Sequence, residues 1–205
     1  YVVEALVRNG IGELVLVDHD IIDITNLNRQ LYALHSTIGM NKVDVARARC
    51  LDINPNLKIT TYQQFYLPDQ GMETIFEDCD FVVDAIDTMS SKLALIQYCL
   101  QHNIPFISSM GMANRMDPTC VTICDLMKTS YDPVAKIMRS LVRKHHIKGK
   151  IPVVWSSEQP TVQTKVIYED GITRKQKMPP ASSPFVPSAA GLAIASYAIK
   201  QLLKK

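Results

Sequence analysis

Short apolar runs rich in β-branched residues alternate with helical patterns along this chain, and that alternation restricts its fold more than any other feature. An opening helical pattern, VVEALVRNGIG, is stopped by Gly10 and Gly12 ahead of a strand, ELVLVD. A helix is expected over 42–53, stopped by Asn54 and Pro55, with a strand near 57–62 behind it. A short helix around 71–77 leads to a strand at 81–85, and a helix over 90–102 leads to a strand at 105–109. Strand and helix in turn demand a mostly parallel sheet covered on both faces, a doubly wound, Rossmann-like α/β fold. Beyond Met110 the order changes to a strand at 119–124, a helix over 132–145 and a strand at 153–156. The segment 169–187 carries four prolines and the basic residues Arg174, Lys175 and Lys177, so it reads as a mobile or crossing loop before a last helix.

With 205 residues the chain suffices for one α/β domain with a full core, its nucleotide-binding half over 1–110 and its substrate and dimer half over 111–205. Apolar residues at 47% and charged residues at 20% place it among soluble globular proteins. A formal charge of +2 does not by itself demand a nucleic-acid partner. Cys50, Cys79, Cys99, Cys120 and Cys124 are odd in number and lack zinc spacing, so they read as thiols of a reducing, cytoplasmic compartment. The apolar tail near 189–203 is too short for a membrane span and contains Lys200, so a core-packed helix is expected there. The chain opens at Tyr1 already inside a helical pattern. A strand and a glycine-rich turn are therefore expected to be missing ahead of it.

The chemistry concentrates in LVDHDIIDITNLNRQ, residues 16–30. Asp18 closes a strand, where doubly wound sheets place ligand-binding acids, and a ribose contact competes with a turn cap there. Asp20 suits a turn cap or a metal equally. Asn26, Arg29 and Gln30 follow in a polar loop, and an arginine offers a planar fork of donors to phosphate oxygens. Lys42 opens a helix, where the dipole disfavours a cation, and that misfit points to a functional role. Asp84 lies within an apolar strand and reads as structural, whereas Asp87 sits at the strand's open end, where a carboxylate suits Mg²⁺ on a triphosphate. Downstream, Lys128, Lys136, Arg139, Arg143, Lys144, Lys148 and Lys150, with His145 and His146, concentrate positive charge suited to RNA phosphates or to a solvated helix face. Arg115, beside Gly111, is a candidate for the substrate pocket, as are Lys128 and Thr129, while Trp155 is expected to pack rather than stack on a base.

The joint pattern is more specific than any member. DHD at 18–20, NLNRQ at 26–30, GMNK at 39–42, INP at 53–55 and DAID at 84–87 resemble the ThiF/MoeB/HesA family, relatives of the ubiquitin-activating enzymes, which adenylate a carboxylate with ATP. The resemblance implies that Asp18 holds the ribose, that Asn26, Arg29 and Lys42 hold the phosphates, and that Asp87 holds Mg²⁺. The chain has no CxxC motif, unlike the molybdopterin and thiamine branches. Its middle, with DP at 117–118, DLMKT at 125–129, DPVA at 132–135 and SEQP at 157–160, is similar to the tRNA threonylcarbamoyladenosine dehydratase branch. That likeness implies ATP-dependent cyclisation of the modified adenosine at position 37 of the anticodon loop, a tRNA partner, a homodimer and a possible sulfur-transfer partner. The alternatives are an activating enzyme for a ubiquitin-like or sulfur-carrier protein, and a non-catalytic scaffold. A dehydrogenase would use Asp18 for a nicotinamide ribose but would leave Arg29, Lys42 and Asp87 without a joint purpose.

Overall fold

The computed structural model describes residues 1–67, 71, 73–76, 78–161, 165–167, 173–175 and 180–204. In chain order the elements are α1 (Val2–Arg8), β1 (Glu13–Val17), α2 (Lys42–Ile53), β2 (Lys58–Tyr62), β3 (Val82–Asp84), α3 (Met89–Gln101) and β4 (Phe106–Ser109). Next come β5 (Val121–Asp125), α4 (Pro133–Lys144), β6 (Pro152–Ser156), β7 (Lys165–Ile167), β8 (Thr173–Lys175) and α5 (Phe185–Leu202). Short 3₁₀ turns join several of them.

β1 and β2 pair in parallel, and β3, β4, β6 and β5 form a second sheet in that order. β3, β4 and β6 are parallel, and β5 runs antiparallel to β6 at the edge. One face of the four-stranded sheet is covered by α3 and α4, through Leu93, Ile96, Cys99, Met138 and Val142. The other is covered by α5, whose Ala190 and Ile194 pack on Ile107 and Val154. Such fully buried aliphatic side chains contribute roughly 1.5–3 kcal/mol each. The two-sided cover matches the expected α/β architecture, with β5 as the one reversed strand of this sheet. α5 also packs on α1, and Gly191 permits the closeness: a Cβ there would lie 2.8 Å from the Tyr1 Cβ.

One sequence expectation needs correction. The 169–187 stretch was expected to be loop, yet Thr173–Lys175 is a strand paired antiparallel with Lys165–Ile167. α5 starts at Phe185, with Pro187 in its first turn, where a proline removes no intrahelical hydrogen bond. The rest of that expectation, at 169–172 and 176–179, lies outside the described residues. Trp155 is buried, as its packing role required. Among the described residues, no helix is long and apolar enough to cross a membrane.

Candidate nucleotide site

The site begins where β1 stops. The Asp18 N–H still donates to Tyr62 O at 3.1 Å, continuing the β1–β2 pairing by one residue. Its carboxylate then turns the chain, with Oδ1 accepting the Asp20 N–H at 2.9 Å. From there the loop is clipped to the segment leading into α2: Ile22 N donates to Met40 O at 2.8 Å, and Gly39 N to Ile22 O at 2.9 Å. The φ of +85° at Gly39 needs glycine's freedom. The clip sets Lys42, the first residue of α2, over the end of β1, where its Nζ lies 2.6 Å from Asp20 Oδ2. His19 Nε2 lies 3.1 Å from the other Asp20 oxygen. The hydrogen bond from Lys42 holds the Asp20 carboxyl below its ordinary range, so Asp20 is ionised near neutrality. Asp18, His19 and Asp20 stand close enough to share a cation, but Asp20 is committed to Lys42 and His19, and one Asp18 oxygen to the turn.

Asn26 is buried, and its Oδ1 accepts the Asp23 N–H at 3.1 Å while Asp23 caps the same short turn. Its carbonyl oxygen therefore shapes the loop. Arg29 is half-buried. Its Nη1 donates to Thr25 O at 2.7 Å and to Asn28 Oδ1 at 3.0 Å, while its other two nitrogens have no partner among the described residues. Gln30 is half-buried and tied to the loop by its N–H, which donates to Asn26 O at 2.9 Å.

Asp87 follows β3 and is exposed, and among the described residues its carboxylate accepts from the Thr88 hydroxyl at 3.5 Å. Residues 65 and 66 pass between the β1 end and the start of α3. Phe65 packs edge-on to His19 with ring centres 4.6 Å apart, and Tyr66 O accepts the Ser91 hydroxyl, from the first turn of α3, at 2.7 Å. The structure thus joins Asp18, Asp20 and Lys42 through direct hydrogen bonds, and residues 65 and 66 run from His19 to the first turn of the helix that follows Asp87.

Two groups escaped the sequence reading. Lys92 is 1% exposed, its Nζ lying 2.8 Å from Asp84 Oδ2 and 2.9 Å from Ser109 O, and Ser108 Oγ donates to the same Asp84 oxygen. Asp84 Oδ1 accepts the Ile86 N–H at 3.0 Å and so fixes the turn that presents Asp87. The available signal was a lysine in the apolar register 92, 95, 96, 99 of α3. Asn28 is the second: its Nδ2 donates to Ser182 O at 2.6 Å, tying the 18–30 loop to the segment before α5.

The three substrate-pocket candidates differ in exposure and in how they are held. Arg115 is 2% exposed and donates to the carbonyls of Gly111 (2.6 Å) and Glu158 (3.0 Å), with Asp132 Oδ2 at 3.6 Å. A guanidinium so occupied ties these loops together. Thr129 is buried between Leu126 O and Arg139. Lys128 is exposed and lies two residues beyond Leu126, whose N–H donates to Ile151 O just ahead of β6, because the reversal of β5 carries the chain to the opposite edge of the sheet. All five cysteines are free, and none is an activated thiolate. Burial raises Cys50, Cys79, Cys124 and Cys99, the last to about 12, and the Asp117 carboxylate raises Cys120.

The sequence profile of the ThiF family matches residues 1–205. The tRNA threonylcarbamoyladenosine dehydratase of Bacillus subtilis is 44% identical to the chain, covering 100% of it and 82% of the relative. That of Escherichia coli is 33% identical, over 98% of the chain and 81% of the relative. The solved structure of the Escherichia coli enzyme with ATP superposes with a TM-score of 0.86 at 31% identity, covering 99% of this chain and 80% of that one.

Proposed function

The chain belongs to the ThiF family, and on that premise we propose that it uses ATP to cyclise threonylcarbamoyladenosine in the anticodon loop of tRNA. The observation that carries the reading is the strand-end cluster, where Lys42 pairs with Asp20 two residues after Asp18, while Phe65 packs on His19 and Tyr66 bonds Ser91 of the helix that follows Asp87. Asp18 receives the ribose hydroxyls with the oxygen its turn leaves free. The unengaged side of the Arg29 fork and the Lys42 ammonium take phosphate oxygens, and Asn26 and Gln30 hold the loop that carries Arg29. Asp87 is the carboxylate that fits Mg²⁺: it is a hard oxygen donor, exposed and unpaired by any cation among the described residues. The metal, when bound, neutralises charge on the triphosphate.

The reaction balances without an enzyme nucleophile. A threonyl carboxylate oxygen bonds to the α-phosphorus and pyrophosphate leaves. A nucleophilic atom of the same modified base then attacks the activated carboxyl carbon, and AMP leaves with the oxygen. The raised thiols agree with this scheme and disfavour a carrier-activating enzyme that needs a reactive cysteine. The free thiols also suit a reducing cytosol, and a homodimer is the assembly we expect, with any sulfur-transfer protein a peripheral partner.

Pyrophosphate release measured with and without tRNA bearing the modification tests the reading. We expect release stimulated by that tRNA and reduced by about two orders of magnitude in Arg29→Ala and Asp87→Ala. Equal turnover in those variants would sink the site. Stimulation by a diglycine-tailed carrier protein and not by tRNA would sink the substrate.

A further inference from the structure

Between Asp132 and Glu158 the chain has no carboxylate at all, yet it carries six lysines and arginines. α4 sorts them. Ala135, Met138 and Val142 are buried against the sheet, and Lys136, Arg143 and Lys144 are exposed on the side away from it. Arg139, half-buried, is spent on Thr129. No ion pair among the described residues engages Lys136, Arg143, Lys144, Lys148 or Lys150. Unneutralised cations this close repel one another, and a structure tolerates that most readily where a polyanion is to supply the counter-charge.

The ridge also has a direction. β3, β4 and β6 are parallel, so the ends that carry Asp84, Ser109 and Ser156 share one edge, the edge of Asp87. The start of α4 lies at that same edge. A Cβ on Gly111, which follows β4, would sit 3.2 Å from Asp132 Oδ1, and Arg115 bonds Gly111 O and Tyr131 O together. The far end of α4 lies at the opposite edge. A Cβ on Gly149 would meet Leu100, in the last turn of α3, at 2.8 Å, and Lys150 immediately precedes the β6 region. Twelve helical residues span about 18 Å between the two ends.

At the catalytic end stands Tyr131. The residue is 62% exposed, and its backbone takes φ of +54°, a region that aromatic residues rarely occupy. Arg115 on its carbonyl and the Asp132 cap of α4, which accepts the Ala135 N–H at 2.8 Å, hold that conformation. A rigidly mounted, exposed aromatic ring beside a line of unpaired cations is the arrangement that binds unstacked bases and their backbone.

We infer that Tyr131 and the α4 ridge form a polar RNA track: Tyr131 stacks on a loop base at the catalytic edge, and Lys136, Arg143, Lys144, Lys148 and Lys150 take successive phosphates towards the opposite edge. The inference rests on the tRNA reading above and assigns residues to it. It also explains how an RNA is oriented, with its reacting base at Asp87 and its stem leading away.

The test is the binding of an anticodon stem-loop RNA to the full chain without ATP, measured by fluorescence anisotropy over a salt series. Lys136→Ala/Arg143→Ala/Lys144→Ala should lower the slope of log K against log salt by about two, at roughly 0.7 per lost phosphate contact. Tyr131→Ala should weaken binding about tenfold at unchanged slope, and Tyr131→Phe should retain it. All these side chains are exposed, so an unchanged thermal midpoint separates lost contact from lost fold. A triple variant that binds with the native slope would overturn the track, as would a native chain that binds an acidic protein in place of RNA. Pyrophosphate release separates the two readings. A native chain that cyclises tRNA while the triple variant binds normally overturns only the track. RNA binding that follows the track without pyrophosphate release overturns only the cyclase.

Discussion

Two aspartate–lysine pairs of almost the same length do opposite things in this molecule. Asp20 and Lys42 meet at 2.6 Å with side chains 47% and 16% exposed, whereas Asp84 and Lys92 meet at 2.8 Å with both at 1%. At the first pair, water solvates whatever charge a ligand displaces, so Lys42 can exchange its carboxylate for phosphate oxygens at little cost. At the second, no solvent is available, and each charge is held by protein groups: Ser108 and the Ile86 N–H on Asp84, and Ser109 O on Lys92. The exposed pair is the one open to the proposed ligand, and the buried pair fixes the turns around it. Distance alone does not separate a functional ion pair from a structural one; the means of solvating a broken partner does.

Breaking the buried pair should give the largest effect. Lys92→Met leaves an uncompensated carboxylate in the core and should cost about 3–5 kcal/mol in denaturant unfolding. Asp84→Asn combined with it should recover most of that loss. A single-variant cost below about 1 kcal/mol would erase the distinction between the pairs. Lys42→Met should change stability by about 1 kcal/mol or less, yet abolish ATP-dependent pyrophosphate release. Large destabilisation with retained release would reverse the two roles. The smallest effect is acid-dependent. Because Lys42 lowers the Asp20 pKa in the fold, the stabilisation is present above the ordinary carboxylate pKa and is lost as pH falls through the lowered value. Stabilities of the native chain and Lys42→Met should therefore converge in acid. A gap that widens there would contradict the assigned ionisation.

The sequence reading succeeded where local signals are strong. α2 spans Lys42–Ile53 as Asn54 and Pro55 required, and α4 runs from its Asp132 cap to His145. Asp18 directly follows β1, as the strand pattern indicated, whereas β3 ends on Asp84 and Asp87 lies three residues beyond it. The surroundings of Arg115 and Lys128 were not legible for a different reason. Arg115 is buried by carbonyls from residues 111, 113, 131 and 158, which no local window contains. Lys128 was displaced by the reversal of a single strand, β5, which the spacing of apolar residues does not encode.

Taken by itself, the order of residues determined the alternation of elements, the family and the polar loop at 18–30, since all three depend on neighbours in the chain. Only the tertiary structure decided which charges are free. Whether Lys42, Lys92, Arg115 or Lys136 faces a ligand, a core acid, a cage of carbonyls or open water depends on segments brought together from tens of residues away. The cost of leaving a charge unpaired is set by that assembled surrounding, and the side chain's identity is the same in every case.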